Sequence, residues 1–454
     1  MNNDICAIVL AAGIGSRMNS ELPKVLHEIC GKTLLSHVLT SLEEAGIADT
    51  AVVTGYKAQM VEEKTAAEFP GVSFCRQNEY LGTAHAVMSA AGFLQGRGGK
   101  VIVLCGDAPL ISADMLRTLA DFDAGSSSAM SVLTAELDNP AMYGRIVREN
   151  GVFSSVTEFR DCSDEQKLIR EVNSGIYIFD TEKLLDVLPE IGCSNAKNEY
   201  YLTDAAGLFI SKGYGADACL CEKSSAVMAA NDRAELAECA KIMRDELNMK
   251  HMMNGVTIVD PQNTYISRDA VIGRDTVIWP NTIISGRTLI GESNTIYSSR
   301  IESCIIGSGN EIDSCVLEYS EIGDGSSVGP YAHFRAGTSL GNSCRIGNFV
   351  EIKNSAVGSG TKAAHLTYIG DASVGERVNF GCGVVTANYD GVSKNMTVIE
   401  DDAFIGCNVN LIAPVRIGKH SFIGAGSTIT RDVEDNALAV ERGRVTVKKD
   451  YKKE

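Results

Sequence analysis

In the second half of the chain an aliphatic or aromatic residue recurs at every sixth position. Ile266, Ile272, Ile278, Ile284, Ile290 and Ile296 form one run; after several five-residue steps the period resumes at Ile322, Val328, Phe334, Leu340, Ile346 and Ile352, and it returns at Ile405, Leu411, Ile417, Ile423 and Ile429. A period of six matches neither the 3.6-residue turn of an α-helix nor the two-residue alternation of a simple strand. It is the hexapeptide period of a parallel β-helix, in which each apolar side chain points into a triangular prism and small residues make the corners. Gly273, Gly291, Gly323, Gly347 and Gly418 each follow one of these apolar residues. The isoleucines are therefore core. Candidate site residues belong where the period breaks, over 355–368 with His365 and over 386–402 with Asn388 and Tyr389. Solenoids bind ligands on loops extruded from their coils. Hexapeptide prisms trimerise as a class and set such loops at subunit boundaries, so a homotrimer is expected.

The first half has a different rhythm. Apolar runs at 5–10, 50–54, 101–105 and 129–134 read as strands, and 32–45 and 82–93 as helices. This alternation predicts an α/β domain of Rossmann-like architecture, with a mostly parallel sheet covered on both faces. Ligands of such sheets sit beyond the carboxyl ends of the strands. Between the halves, Leu236, Ala240, Met243 and Leu247 fall at helical spacing in a stretch without Pro or Gly. The expected organisation is this α/β domain over 1–231, a linker helix over 232–253 and the β-helix over 254–454.

At 454 residues the chain exceeds one ordinary core. A formal net charge of −17 argues against a nucleic-acid partner, so anionic small molecules must be met by a few placed Lys and Arg side chains. The 14 cysteines show no Cys-x-x-Cys pair, which suits reduced thiols in the cytoplasm and no zinc cluster. The apolar run 5–12 is too short to span a membrane and has no basic leader, so no membrane association is expected.

Within the first domain, Leu10-Ala11-Ala12-Gly13 leads through Gly15 to Arg17 and then to Pro23-Lys24. Gly13 and Gly15 leave backbone N–H groups open to a phosphate, and Arg17 and Lys24 supply charge. The run lacks the Gly-Lys-Ser/Thr ending of a P-loop, and its spacing differs from a dinucleotide fingerprint. Downstream, Cys105-Gly106-Asp107 follows a buried strand, where a carboxylate is placed either to hold Mg²⁺ or to cap the next turn. The constellation resembles the sugar-phosphate nucleotidyltransferase (pyrophosphorylase) family, which implies that Asp107 and Asn231 bind Mg²⁺. Further matches resemble the bifunctional uridyltransferase/acetyltransferases that make UDP-N-acetylglucosamine. In that resemblance Leu10, Ala11, Ala12, Gly13, Lys24, Gln77, Gly82, Thr83, Cys105 and Gly106 contact the nucleotide, and Gly144, Glu158, Asn173 and Asn231 contribute to the sugar side of the site. The residues alone support a nucleotide site; uridine comes from the resemblance.

The same resemblance extends, in the same order, over essentially the whole chain, and implies that the prism is a left-handed β-helix carrying an acetyltransferase. His365 then matches the general base and Asn388 the residue supporting the reaction centre. Arg335 and Lys353 match the cations for the sugar phosphate, and Tyr368 and Asn379 its sugar contacts. Cys382, Asn388, Tyr389, Cys407, Ala425 and Arg442 match positions that touch acetyl-CoA. Cys407 stands where relatives have Ser and Cys382 where they have Ala, and the Lys-rich tail 445–454 departs most from the pattern. The implied substrates are glucosamine-1-phosphate and acetyl-CoA, then N-acetylglucosamine-1-phosphate and UTP. A rival reading keeps one catalytic domain and treats the β-helix as an oligomerisation module; His365, Asn388, Lys353 and Arg335 together argue against it.

Overall fold

The computed structural model describes residues 5–140, 142–195, 198–443, 445–449 and 451, so part of the Lys-rich tail lies outside the described residues. The chain divides into two compact units, Met1–Met243 and Arg244–Glu454. The boundary falls inside one long helix, Arg233–Met253. No described helix is long and apolar enough to cross a membrane.

The first unit is built on a nine-stranded sheet. Its strands are β1 (Ile5–Ala11), β2 (Thr50–Thr54), β3 (Ser73–Arg76), β4 (Lys100–Cys105), β5 (Met130–Glu136), β6 (Arg145–Glu149), β7 (Val152–Thr157), β8 (Glu171–Asp180) and β9 (Asp217–Cys221). Across the sheet the order is β9-β5-β8-β4-β1-β2-β3, with the β6–β7 hairpin attached through β8. Strands β4, β1, β2 and β3 run parallel, as do β5 and β9, whereas β8 is antiparallel to both β4 and β5. The sheet is therefore mixed. Alternate residues of a strand face opposite sides, and here both sides are buried: Ile8, Val101 and Val103 enter one apolar cluster, and Val9, Ile102 and Leu104 another. Some of its helices are capped by side chains, as where Thr33 Oγ1 accepts from Ser36 N at 3.0 Å at the head of Leu34–Glu44.

The second unit is a prism of three parallel sheets with eleven, ten and nine strands. Consecutive isoleucines of the hexapeptide run lie on consecutive sheets, and each stacks on its counterpart one coil later: Ile266 on Ile284, Ile272 on Ile290, Ile278 on Ile296. All six are buried. Through the five-residue steps the stacking continues to Ile301, Ile306 and Ile312, with corners tightened at Ser298, Ser303 and Ser314, each at positive φ.

One expected break is absent. Over 355–368 the prism continues through strands Ala356–Val357, Lys362–His365 and Tyr368–Gly370, with Val357, Ala363 and Ile369 facing inwards. His365 therefore stands on a strand end, paired with Asn348, and not on an extruded loop. The inward residue in that coil is alanine, and a search for bulky aliphatic side chains passes over it. The second break is real. Glu351 pairs with Tyr368 seventeen positions on, but Ala372 pairs with Thr397 twenty-five positions on. The additional residues form a loop over 388–396, pinched by a bridge between Tyr389 and Lys394.

Because each interior residue touches the coils on either side, Ile296→Ala is expected to destabilise the second unit by about 2–5 kcal/mol, the range for truncating a buried Ile with partial collapse of the cavity. Urea unfolding followed by far-ultraviolet circular dichroism measures this; an unchanged midpoint would contradict the packed interior.

Candidate functional sites

In the first unit the chain leaves β1 at Ala11 and passes through Gly13 and Gly15 into the short turn Ser16–Met18. Gly15 is at φ +65, and a Cβ there would lie 2.6 Å from Lys24 Cβ, so the glycine lets Lys24 pack beneath the loop. Lys24 is buried. Its ammonium pairs with the Asp107 carboxylate and donates to Asn231 Oδ1 at 2.7 Å. Burying an ammonium is unfavourable unless it is paired, and these two oxygens pair it. Each partner is fixed by its own backbone. Gly106 N donates to Leu10 O at 2.9 Å, which ties the Cys105–Asp107 turn to β1, and Ala230 N donates to Asp107 O at 3.0 Å. Asn231 precedes the long helix, where Asp232 Oδ1 accepts from Ala234 N and Glu235 N at 2.9 Å and Glu235 accepts from Asn231 N at 2.7 Å. Beside them Cys105 is half-buried at the turn, and desolvation followed by the Asp107 charge pushes its thiol up to about 12, against the opposing pull of Lys24. It is no nucleophile near neutral pH.

Arg17 is exposed and lines a cavity of about 350 Å³ with Met142, Glu158, Phe159, Arg160 and Tyr201. Gln77 lies just beyond β3, its backbone N–H on Thr54 O at the end of β2 and its Nε2 within 3.2 Å of Gly82 O. Gly82 is at φ +113 and a Cβ there would meet Tyr200 O at 2.5 Å. Thr83 Oγ1 accepts from Leu202 N at 3.0 Å, so Gly82 and Thr83 are laced to the segment that carries Tyr201. Asn173 N donates to Gly144 O at 2.9 Å, while its carboxamide is engaged by Tyr177 OH at 2.7 Å and Gly175 N at 3.0 Å, within the irregular stretch of β8. The structure thus gathers Lys24, Asp107 and Asn231 at one point and Arg17 with Glu158 at another.

Among the described residues no group of three or more His, Cys, Asp or Glu could hold a metal alone. Asp107 and Asn231 nonetheless turn two hard oxygens to one cation, the Lys24 ammonium. Mg²⁺ is commonly held by one or two carboxylates together with substrate phosphates and water, so this donor pair fits such an ion.

In the second unit the candidates fall on two edges of the same outer face. One edge carries His365, Cys382, Cys407 and Ala425 on successive coils; Asn408 N donates to Cys382 O at 2.7 Å, Gly426 N to Cys407 O at 2.8 Å, and Arg442 Nη1 to Ala425 O at 2.9 Å. Asn379 points outwards one strand earlier, stacked in register on Phe404. The other edge carries Arg335, Lys353 and Asn388. The strand Tyr368–Gly370 lies between, so the edges are separated by roughly 10 Å, the length of three extended residues. Tyr389 is exposed, with its hydroxyl on Gly391 O at 2.7 Å.

On the second edge Lys353, Asn354, Asp371, Lys394 and Asn395 line a cavity of about 530 Å³. Asp371 is buried and accepts from Asn354 Nδ2 at 2.6 Å and from Asn388 Nδ2. Burial would raise its pKa, but the two amide donors and the charges of Lys353 and Lys394 outweigh burial and hold it below the usual carboxylate range. Lys353 is held below the ordinary lysine range, first by the hydrogen bond and like charge of Lys394, with Asp371 opposing. Arg335 pairs with Glu351 at 3.1 Å on the surface. Sequence reading missed Asp371, Asn354 and Lys394. None lies in a recognisable motif of charge or spacing, and they meet only because the inserted loop folds back on the two coils before it.

Comparison with known proteins divides along the same line. Residues 7–174 match the model of the MobA-like NTP transferase domain, and 319–354 and 396–431 match the bacterial transferase hexapeptide model of six repeats. The prism is accordingly a left-handed hexapeptide β-helix, and the chain is a transferase in both units. The bifunctional protein GlmU of a Geobacillus species is 47% identical over 98% of this chain and 97% of its own length. Its counterparts from Clostridium beijerinckii and Clostridium perfringens are 47% and 46% identical, each over 97% of this chain and 96% of their own. Identity at this level runs through both units and the helix between them, and the chain belongs to the family of bifunctional GlmU proteins.

Proposed function

We propose that the second unit acetylates glucosamine-1-phosphate with acetyl-CoA, and that the first then transfers UMP from UTP to the resulting N-acetylglucosamine-1-phosphate, releasing pyrophosphate. The observation that carries this reading is the convergence of Lys24, Asp107 and Asn231, drawn from three distant segments, on one point at the carboxyl ends of β1 and β4.

In uridyl transfer a phosphate oxygen of the sugar attacks the α-phosphorus of UTP as the bond to pyrophosphate breaks. Arg17 and Lys24 neutralise the negative charge that grows on the phosphates. Asp107 and Asn231 are the residues that would hold Mg²⁺, which when bound polarises the triphosphate. Glu158, in the cavity shared with Arg17, suits the hydroxyl and amide groups of the sugar.

In acetyl transfer the free amine attacks the thioester carbonyl while His365 takes its proton, and the CoA thiolate leaves. Lys353, Lys394 and Arg335 supply cations for the sugar phosphate, and Asn388 supports the reacting centre. The stacked edge of Cys382, Cys407 and Ala425, with Arg442, suits the extended acetyl-CoA chain. Cys407 is exposed, and the register puts backbone N–H groups of the neighbouring coil beside it, so loss of a Ser hydroxyl there need not remove a donor.

We further infer a homotrimer assembled through the β-helix. On one outer face Val271, Leu289 and Ile305 stack coil upon coil and are about half exposed, at 59%, 46% and 51%. An apolar ladder of this kind is more stable when covered.

Two half-reactions assayed on the same purified samples test the assignment. Asp107→Ala is expected to abolish uridyl transfer and leave acetyl transfer intact. His365→Ala should lower the acetyl-transfer kcat by ~10²–10⁴, the range for losing a general base, with uridyl transfer unaffected. Equal loss of both activities in either folded variant would contradict two independent sites. A fragment beginning near Asp232 is expected to remain trimeric by light scattering; a folded monomer would count against the shared interface.

A further inference from the structure

A loop inserted into a regular prism is held only at its ends unless something else fixes it. Here Asp371 holds both of its ends and ties them to the preceding coil. Its backbone oxygen accepts from Thr397 N at 3.1 Å, where the loop rejoins the prism, and its backbone N–H donates to Lys353 O at 3.0 Å on the preceding coil. Its carboxylate takes the Asn388 amide, where the loop departs, and the Asn354 amide beside Lys353. Asn395 N closes the loop on Asn388 O at 2.7 Å. Asp371 itself sits at φ +47, a conformation that Asp and Asn tolerate better than other side chains.

An ionised carboxylate only accepts hydrogen bonds. Both facing carboxamides must therefore present their NH₂ groups to it, and the Asn388 oxygen is turned the other way, as an acceptor. The same carboxylate lies beside two ammonium groups of like charge, Lys353 and Lys394, which would otherwise push the loop off the coil.

We propose that Asp371 is a positioning residue of the acetyl-transfer site: it clamps the 388–396 loop, orients the Asn388 carboxamide as an acceptor, and keeps Lys353 and Lys394 together so that both can hold one phosphate. This rests on the assignment above of the second unit to glucosamine-1-phosphate. The charged groups facing Lys353 are Lys394 from the loop, Asp371 from the following coil and Arg335 from the preceding one, the last paired with Glu351. Asp371 favours protonated Lys353, so its removal depresses the lysine further, and phosphate binding is then lost at lower pH.

Asp371→Asn tests this in the full-length protein. It keeps the positive-φ backbone and the size of the side chain, but removes the charge and sets an NH₂ group against one of the two facing amides. Acetyl transfer is measured while glucosamine-1-phosphate is varied at a series of pH values running from about neutral up towards the ordinary lysine range of about 10. The KM for glucosamine-1-phosphate should rise roughly 10- to 100-fold, as for loss of a charged hydrogen bond. The KM for acetyl-CoA and the uridyl-transfer rate should be unchanged, the former serving as the folding control for the second unit. The pH at which the sugar-phosphate KM begins to climb should fall in D371N, and adding Lys394→Ala to that variant should move it back up.

An unchanged KM and pH limb in D371N would overturn the role of Asp371 while leaving the site assignment standing. A rise in KM for both substrates with no shift of the limb would make Asp371 merely structural and overturn it equally. Wild-type protein that fails to acetylate glucosamine-1-phosphate would overturn the assignment of the site, and this inference with it.

Discussion

The ladder of backbone hydrogen bonds between successive coils is the constraint on which the second unit depends. Its strands are only two to four residues long, far too short to persist alone. Each is held by the coil before it and the coil after it, and the register is locked because a slip would carry an inward isoleucine out of the prism. Ile266 over Ile284 and Ile278 over Ile296 are two of many such pairs. The inward positions are thereby committed to packing, and chemistry is confined to the outward residues and the corners. Where one coil gains residues, between Ala387 and Thr397, the ladder bows out and polar side chains collect against the face.

A second regularity links the two units. The chain is strongly acidic, with a formal net charge of −17, yet every substrate proposed for it carries phosphate. Several of the candidate cations lie against carboxylates: Lys24 on Asp107, Arg335 on Glu351, and Lys353 and Lys394 beside Asp371. Pairing offsets the desolvation of these cations before substrate arrives and fixes their direction. An incoming phosphate then competes for cations already aimed at it, which costs less than ordering free lysines would. The exposed Arg335 pair contributes little stability; its value lies in orientation.

Much of this architecture was legible before any coordinates. The hexapeptide period identified the prism because its interior admits only apolar side chains at fixed intervals, and that restriction acts residue by residue. The same reading failed where the restriction relaxes. Ala363 is buried at the inward position of its coil but carries no bulky aliphatic signal, so the sequence reads His365 as a loop residue although it ends a strand. In the first unit the parallel strands β1, β2 and β4 are continuous apolar runs, but β8 contains Asn173-Ser174-Gly175 and an irregular pairing, so its antiparallel insertion carried no local signal.

The sequence by itself determined that the second half is a hexapeptide prism and which of its bulky apolar residues face inwards, and its resemblance to known enzymes proposed the side chains of each candidate site. Only the tertiary structure decided how those side chains are held. That Asp107 and Asn231 meet on Lys24, that Asp371 grips both ends of an inserted loop, and that Lys394 comes to rest beside Lys353 depend on contacts between segments far apart in the chain. Local periodicity records burial, because burial acts on each residue singly. Hydrogen bonds and ion pairs depend on distance between two residues at once, and that distance exists only when the chain has folded.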